Sequence, residues 1–228
     1  MIGGLPLLVT RPEPGCAATV ARARTLGFDA RPLPLFAARA LEWVAPDTRD
    51  HDALLLTSAQ AARLGGSGLA ALGALPVYAV GEATAAAARD AGFGVAAVGE
   101  RDAQALLDGM ASSGKRRILW LCGRDRTAFA TALTVTALPV YAVDPVDPAA
   151  GWRDSVAAPA VVLAHSARIA ARAADLAGAA VKHLTLLAIS AAAADAAGDG
   201  WAEKAVSPRP DDAAMLAEAV RLCHKGRQ

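Results

Sequence analysis

Small polar residues and arginines recur directly behind short apolar runs in this chain. They are Thr10-Arg11, Thr57-Ser58, Gly81 with Thr84, Gly123-Arg124, Ser166 and Ser190. If each run is a parallel strand feeding a helix, these residues stand where open α/β sheets hold ligands. A helix start there offers free backbone N–H groups and a partial positive charge, which suit carboxylates or phosphates. Arg11 and Arg124, at comparable turns, add cationic charge. The same serines and threonines are also ordinary N-caps, so each taken singly serves its helix as readily as a ligand.

Other site chemistries lack their residues. No GxGxxG follows a strand and no GxxxxGK[ST] occurs; Gly65-Gly66-Ser67-Gly68 has no lysine and reads as a flexible turn. The nucleophile elbow GxSxG is missing. His51, His165, His183 and His224 show no metal-ligand spacing, and the adjacency of His165 and Ser166 does not make a catalytic pair. Cys16, Cys122 and Cys223 are an odd, widely spaced set, which predicts a reduced chain without disulfides or a zinc knuckle.

The elements that would position the polar residues are legible. LPLLVT (5–10), DALLLT (52–57), LPVYAV (75–80), RRILWLC (116–122) and PAVVLA (159–164) are unbroken apolar runs, as expected of strands buried on both faces. Between them lie alanine-rich helical stretches at 15–26, 82–91, 103–110, 167–176 and 211–222. This alternation predicts an α/β protein with parallel sheets.

The order also repeats. DALLLTSAQAARL, LPVYAVGEATAAAARDAGF and VAAVGERDAQALLDGM match AVVLAHSARIAARA, LTLLAISAAAADAAGDGW and KAVSPRPDDAAMLAEAV element by element. Ser58 falls opposite Ser166, Gly81 opposite Ser190 and Val98 opposite Val206. The N-terminal PLLVTRPEPGCAATVARARTLGFDARPLPLF resembles RILWLCGRDRTAFATALTVTALPVYAVDP, each read as strand, arginine at the turn, helix, and strand with a proline. Arg11 then falls opposite Arg124. One domain, 51–140, is therefore expected to be inserted into another made of 1–36 and 155–228. The crossings at 37–50 and 141–154 carry prolines and charges, as linkers do. The hexapeptide LPVYAV occurs twice and holds both tyrosines. Tyr78 is expected to pack in or beside a core, whereas Tyr141, at a crossing, can point its hydroxyl toward a ligand.

Composition sets outer bounds. The 228 residues are 54% hydrophobic, enough for two cores, and the net charge of +1 argues against a generic nucleic-acid-binding surface. The N-terminus reads as a first strand rather than a signal peptide, and the uncharged run 127–143 is too short to span a bilayer. A cytoplasmic protein, acting as a monomer and without membrane association, is expected.

Taken together, VTRPE, LLLTSAQAA (54–62), VYAVGEATAAAARDAGF (77–93) and Tyr141 followed four residues later by Pro145 resemble the uroporphyrinogen-III synthase family over nearly the whole chain. The resemblance implies two flavodoxin-like α/β domains, one inserted in the other, joined by a two-stranded linker, with the active site in the cleft. It implies no metal or cofactor. The substrate would be hydroxymethylbilane, a linear tetrapyrrole rich in carboxylates, cyclised with inversion of ring D through a spirocyclic intermediate and loss of water. Tyr141 would serve the leaving hydroxyl, since a phenol keeps its proton at neutral pH. Arg11, Thr57, Ser58, Gly81, Thr84, Gly123, Arg124, Ser166 and Ser190 would bind substrate. Two departures stand out. Ser190-Ala191-Ala192-Ala193 replaces a Gly-x-Thr-Thr pattern, and His165 stands where threonine is common. A tetrapyrrole-binding protein or an inactive homologue are the alternatives these departures leave open.

Overall fold

The computed structural model describes residues 4–99 and 103–225, with side chains through Leu222; Cys223 and His224 fall outside the described side chains. In chain order the elements begin with β1 (Leu7–Val9), α1 (Gly15–Thr25), β2 (Ala30–Pro32) and β3 (Phe36–Ala40). There follow β4 (Ala53–Leu56), α2 (Ala59–Leu64), β5 (Val77–Val80), α3 (Glu82–Asp90), β6 (Val95–Gly99) and α4 (Ala103–Ser112). Next come β7 (Arg117–Gly123), β8 (Thr134–Pro145), α5 (Trp152–Val156), β9 (Val161–Ala164) and α6 (Ala167–Ala177). The chain closes with β10 (Thr185–Ala188), α7 (Ala191–Ala196), β11 (Glu203–Val206) and α8 (Asp212–Lys225). Among the described residues no helix is long and apolar enough to cross a membrane.

Two compact units result. Unit 1 combines Met1–Ala37 with Pro145–Gln228, and unit 2 is the continuous Ala38–Asp144. Unit 1 holds a five-stranded sheet ordered β11-β10-β9-β1-β2, and its strand pairs are parallel. The second sheet is ordered β3-β8-β7-β4-β5-β6, parallel from β8 to β6. Ignoring the extra edge strand β3, the two orders match strand for strand, with β1 standing for β7 and β9 for β4. The unit 1 sheet is the flavodoxin-like 2-1-3-4-5 arrangement and the second sheet is its circular permutation, 5-4-1-2-3 in chain order; in each the strand order reverses once, between β1 and β9 and between β7 and β4.

The unbroken apolar runs are explained by burial on both faces. Along β4, Leu54 and Leu56 belong to one core while Ala53 and Leu55 belong to the opposite one, and all four are fully buried. Successive side chains point to opposite faces of a strand, so only a run without polar gaps fits here. Each fully buried leucine contributes about 1.5–3 kcal/mol of apolar transfer. In the two LPVYAV copies only alternate residues are fully buried, Val77 and Ala79 in β5 and Val140 and Ala142 in β8.

Two expectations need correction. The segment after Arg124 forms no helix; β7 is joined to β8 by an irregular loop over 124–133, whereas α1 fills the corresponding place in unit 1. The β-branched Thr127, Thr131 and Thr134 disfavour a helix there, and Phe129 and Leu133 cover Trp120 from the loop instead. The pairing of Arg11 with Arg124 is also out of register. Leu7 pairs with Val161 and Ile118 with Ala53, yet Arg11 lies four residues beyond Leu7 and Arg124 six beyond Ile118. β7 runs farther than β1 before its turn. In addition, the crossing at 141–154 contains the start of the short helix α5.

In unit 1 the buried Thr10 Oγ1–H donates to the Leu163 carbonyl at 2.6 Å, tying the end of β1 to β9. Thr10→Val keeps the shape and removes the donor. It should destabilise unit 1 by about 1 kcal/mol, read as a lower urea midpoint by circular dichroism; an unchanged midpoint would assign the bond no net worth.

Candidate functional site

In this sheet order, ligand sites form beyond the strand ends at the reversal point. That point lies between β1 and β9 in unit 1, and between β7 and β4 in unit 2. The sequence puts Thr10-Arg11 and His165-Ser166 at the first mouth, and Gly123-Arg124 and Thr57-Ser58 at the second.

The unit 1 mouth is filled by the protein's own charges. Asp212, in the first turn of α8, accepts hydrogen bonds from Thr19 Oγ1 at 2.6 Å, His165 Nε2 at 2.9 Å and Arg22 Nε at 2.8 Å. Arg11 lies at 3.4 Å from the same carboxylate. Burial opposes the charged form of Asp212, but the hydrogen bonds from His165, Thr19 and Arg22 outweigh it and hold the carboxyl well below its usual range. Burial pushes the His165 pKa down, against the pull of Asp212. Among the described residues His165 Nδ1 is buried without a hydrogen-bond partner, which fits a neutral ring with its proton on Nε2. Arg11 is thus committed to an internal carboxylate, and little of its charge is left to offer.

Among the described residues the unit 2 mouth is open. Thr57, Trp120, Gly123, Arg126, Phe129 and Tyr141 line a cavity of about 280 Å³. Trp120 Nε1–H donates to Thr57 Oγ1 at 3.1 Å, fixing the hydroxyl across the gap between β7 and β4. Tyr141 reaches the cavity because the β7–β8 register slips: Cys122 pairs with Pro139, but Gly123 pairs with Tyr141, leaving Val140 as a bulged residue. Bulges re-aim side chains in this manner. The ring lies against Gly123, where a Cβ would come within 3.0 Å of Tyr141 Cζ; the absence of a side chain is what admits it. Tyr78, in β5, packs against the core on the Trp120 side of the sheet.

The remaining expected residues are placed as follows. Ser58, Ser166 and Ser190 cap α2, α6 and α7, accepting from the backbone N–H of Gln60, Ile169 and Ala193. Capping uses the hydroxyl as acceptor and leaves its hydrogen free to donate. Gly81 precedes α3 with φ 81 and ψ 148, a conformation open essentially to glycine alone. Thr84 is buried in the first turn of α3. Arg124 is paired with Asp144 at 2.5 Å and Asp125 at 3.5 Å, and Asp144 also holds Arg39 at 2.7 Å. The hydrogen bond from Arg124 keeps the Asp144 carboxyl below its usual range, and Arg124 is raised in turn. The structure therefore gathers Thr57, Gly123 and Tyr141 in one cavity. Arg124 does not line it and is paired with Asp125 and Asp144.

Sequence reasoning missed Trp120, Arg126 and Phe129, which line the same cavity. Their signal was faint: two members of a small aromatic set, only 4% of the chain, flanking a threonine-rich stretch without helical period.

These features define a two-unit α/β protein with flavodoxin-like sheets and a tyrosine-bearing site at one strand-end mouth. The family model of uroporphyrinogen-III synthase HemD matches residues 17–217, and the chain belongs to that family. Among solved structures it is similar to uroporphyrinogen-III synthetase from Helicobacter pylori, with 15% identity, a TM-score of 0.64, and coverage of 96% of this chain and 99% of the other. It is also similar to a mutant uroporphyrinogen III synthase from Thermus thermophilus, with 17% identity, a TM-score of 0.50, and coverage of 96% and 98%. Comparison with curated proteins finds no match.

The unit 1 cluster sets an acid response. His165 has a folded pKa below its unfolded value, so between the two the unfolded chain carries the extra proton and stability falls as pH falls. The loss begins below about 6.5, the ordinary histidine value, and Asp212 extends it below about 4. His165→Gln keeps a donor for Asp212 and removes the titration. Its stability should be flatter than wild type from neutral pH to about 4, measured by urea unfolding at several pH values; parallel slopes would remove His165 from the response.

Proposed function

We propose that this chain converts hydroxymethylbilane to uroporphyrinogen III, acting as a cytoplasmic monomer. The observation that carries the site assignment is Tyr141, turned by the Val140 bulge across Gly123 into the cavity that Thr57 and Trp120 also line. Family membership supports the reaction.

Loss of the hydroxyl from the hydroxymethyl group on the terminal pyrrole opposite ring D, with a proton from the Tyr141 phenol, releases water and leaves an electrophilic azafulvene at that end of the chain. Attack by the substituted carbon of ring D gives the spirocyclic intermediate; the bond from that carbon to the ring C methylene then breaks, the methylene joins the unsubstituted α carbon of ring D, and the proton lost from that carbon balances the one Tyr141 gave. The substrate cyclises unaided to the wrong isomer, so the protein's task is orientation and selective binding of one transition state. A site of hydroxyls and backbone donors, without a charged nucleophile, suits that task. The Ser58, Ser166 and Ser190 hydroxyls and the N–H groups beside Gly81 would meet substrate carboxylates, with lesser parts for Arg11, Arg124 and Thr84.

The test supplies fresh hydroxymethylbilane with and without purified protein, then oxidises the products and separates type I from type III. Predominantly type III is expected; type I alone, at the unaided rate, would overturn the reading. Tyr141→Phe should lower turnover by about 10²-fold, in the range of a lost acid, and Tyr78→Phe should not; equal small effects would remove Tyr141 from the chemistry. Gly123→Ala should displace the Tyr141 ring and cost roughly tenfold or more in kcat with the fold retained by circular dichroism. Wild-type turnover would mean the ring does not need its present position.

A further inference from the structure

A second cavity adjoins the Tyr141 cavity and shares Trp120, Arg126 and Phe129 with it. It measures about 500 Å³, and Leu133, Val135 and Ala137 also line it. Trp120 and Phe129 meet with centroids 4.4 Å apart at a 46° tilt, so they present two differently inclined ring faces. The volume lies within the range of small-molecule sites, which combine apolar walls with a few placed polar groups. The loop over 124–133 builds this wall where unit 1 has a helix.

The two arginines of the loop differ. Arg124 spends its charge on Asp125 and Asp144. Arg126 donates through Nη1 to the neutral carbonyl of Arg124 at 3.0 Å. Among the described residues no carboxylate lies within ion-pair distance of it. A guanidinium carries five N–H donors in a fork that fits a carboxylate. A cation lining an aromatic-walled cavity, with no carboxylate partner among the described residues, is complementary to a flat, electron-rich ring with an acidic arm.

We propose that this cavity seats one pyrrole ring of the substrate next to the ring reacting at Tyr141, with Arg126 holding that ring's carboxylate and Trp120 and Phe129 packing on its face. The proposal rests on the synthase reading above. It makes Arg126 a residue of binding and register rather than of bond making. Such a contact is present equally in bound substrate and transition state, and its loss raises KM with little change in kcat.

The experiment compares wild type, Arg126→Gln and Arg126→Lys with hydroxymethylbilane as substrate, at low and high salt, with isomer analysis of the products. Arg126 is exposed, so the fold should survive both changes. Arg126→Gln should raise KM about fivefold at low salt, as expected of an exposed ion pair, with kcat held within about twofold. Arg126→Lys should recover most of the loss, and high salt should narrow the gap between wild type and Arg126→Gln. A wild-type KM in Arg126→Gln, or a fall in kcat alone, overturns the seat while type III from the wild-type protein leaves the synthase reading standing. Wild-type protein that yields only type I overturns both.

Discussion

The site depends on one slip in a hydrogen-bond ladder. With regular pairing, Gly123 would face Val140, and Tyr141 would alternate to the opposite face of the sheet. The bulge places Val140 and Tyr141 against the same core cluster and lays the phenol over a residue without a side chain. The Arg124 N–H, bonded to the Tyr141 carbonyl at 2.9 Å, pins the slipped register just beyond its start. Around this point the neighbouring groups have evident reasons to be where they are. Thr57 is oriented by Trp120, and Trp120 is covered by Phe129 from the loop over 124–133.

Duplication supplied two equivalent mouths, and the chain has treated them differently. In unit 1 the ends of β1 and β9 are stitched by Thr10 and overlaid by the Asp212 cluster, a set of charges that satisfy one another. In unit 2 the same reversal point is partly apolar and, among the described residues, unfilled. Both solutions obey the rule that buried polar groups need partners; only the second leaves partnership for a ligand. His165, the departure from threonine noted in the sequence, belongs to the filled mouth, where it orients a carboxylate.

Much of the fold was legible because burial on two faces writes itself into sequence. ALLL, LLV and VVLA have no polar gap, and Ser58, Ser166 and Ser190 mark helix starts that the structure caps with those hydroxyls. What escaped was whatever depended on a partner strand. A register slip at Val140 leaves no trace in the order of residues, since it is a property of β7 and β8 together. The loop over 124–133 was hidden by alanines that read as helix while its threonines did not. The commitment of Arg11 to Asp212 joins residues far apart in the chain, and no local pattern could announce it.

The division of unit 1 bears on how the chain assembles as it is made. β1 sits inside its sheet, but one of its two neighbours, β9, is reached only after the whole of unit 2; Thr10 and Leu163 are separated by 153 positions. Until then β1 has only β2, and an isolated two-stranded pair is marginal in water. Closing so long a loop from a disordered chain would carry the full entropy of its length. The strands by which the chain enters and leaves unit 2, β3 and β8, are however neighbours in one sheet, about 5 Å apart. Once unit 2 has folded on its own contiguous residues, the two halves of unit 1 are tethered as if by a short turn. The inserted unit thereby acts as an internal template, shortening the search that its interruption created.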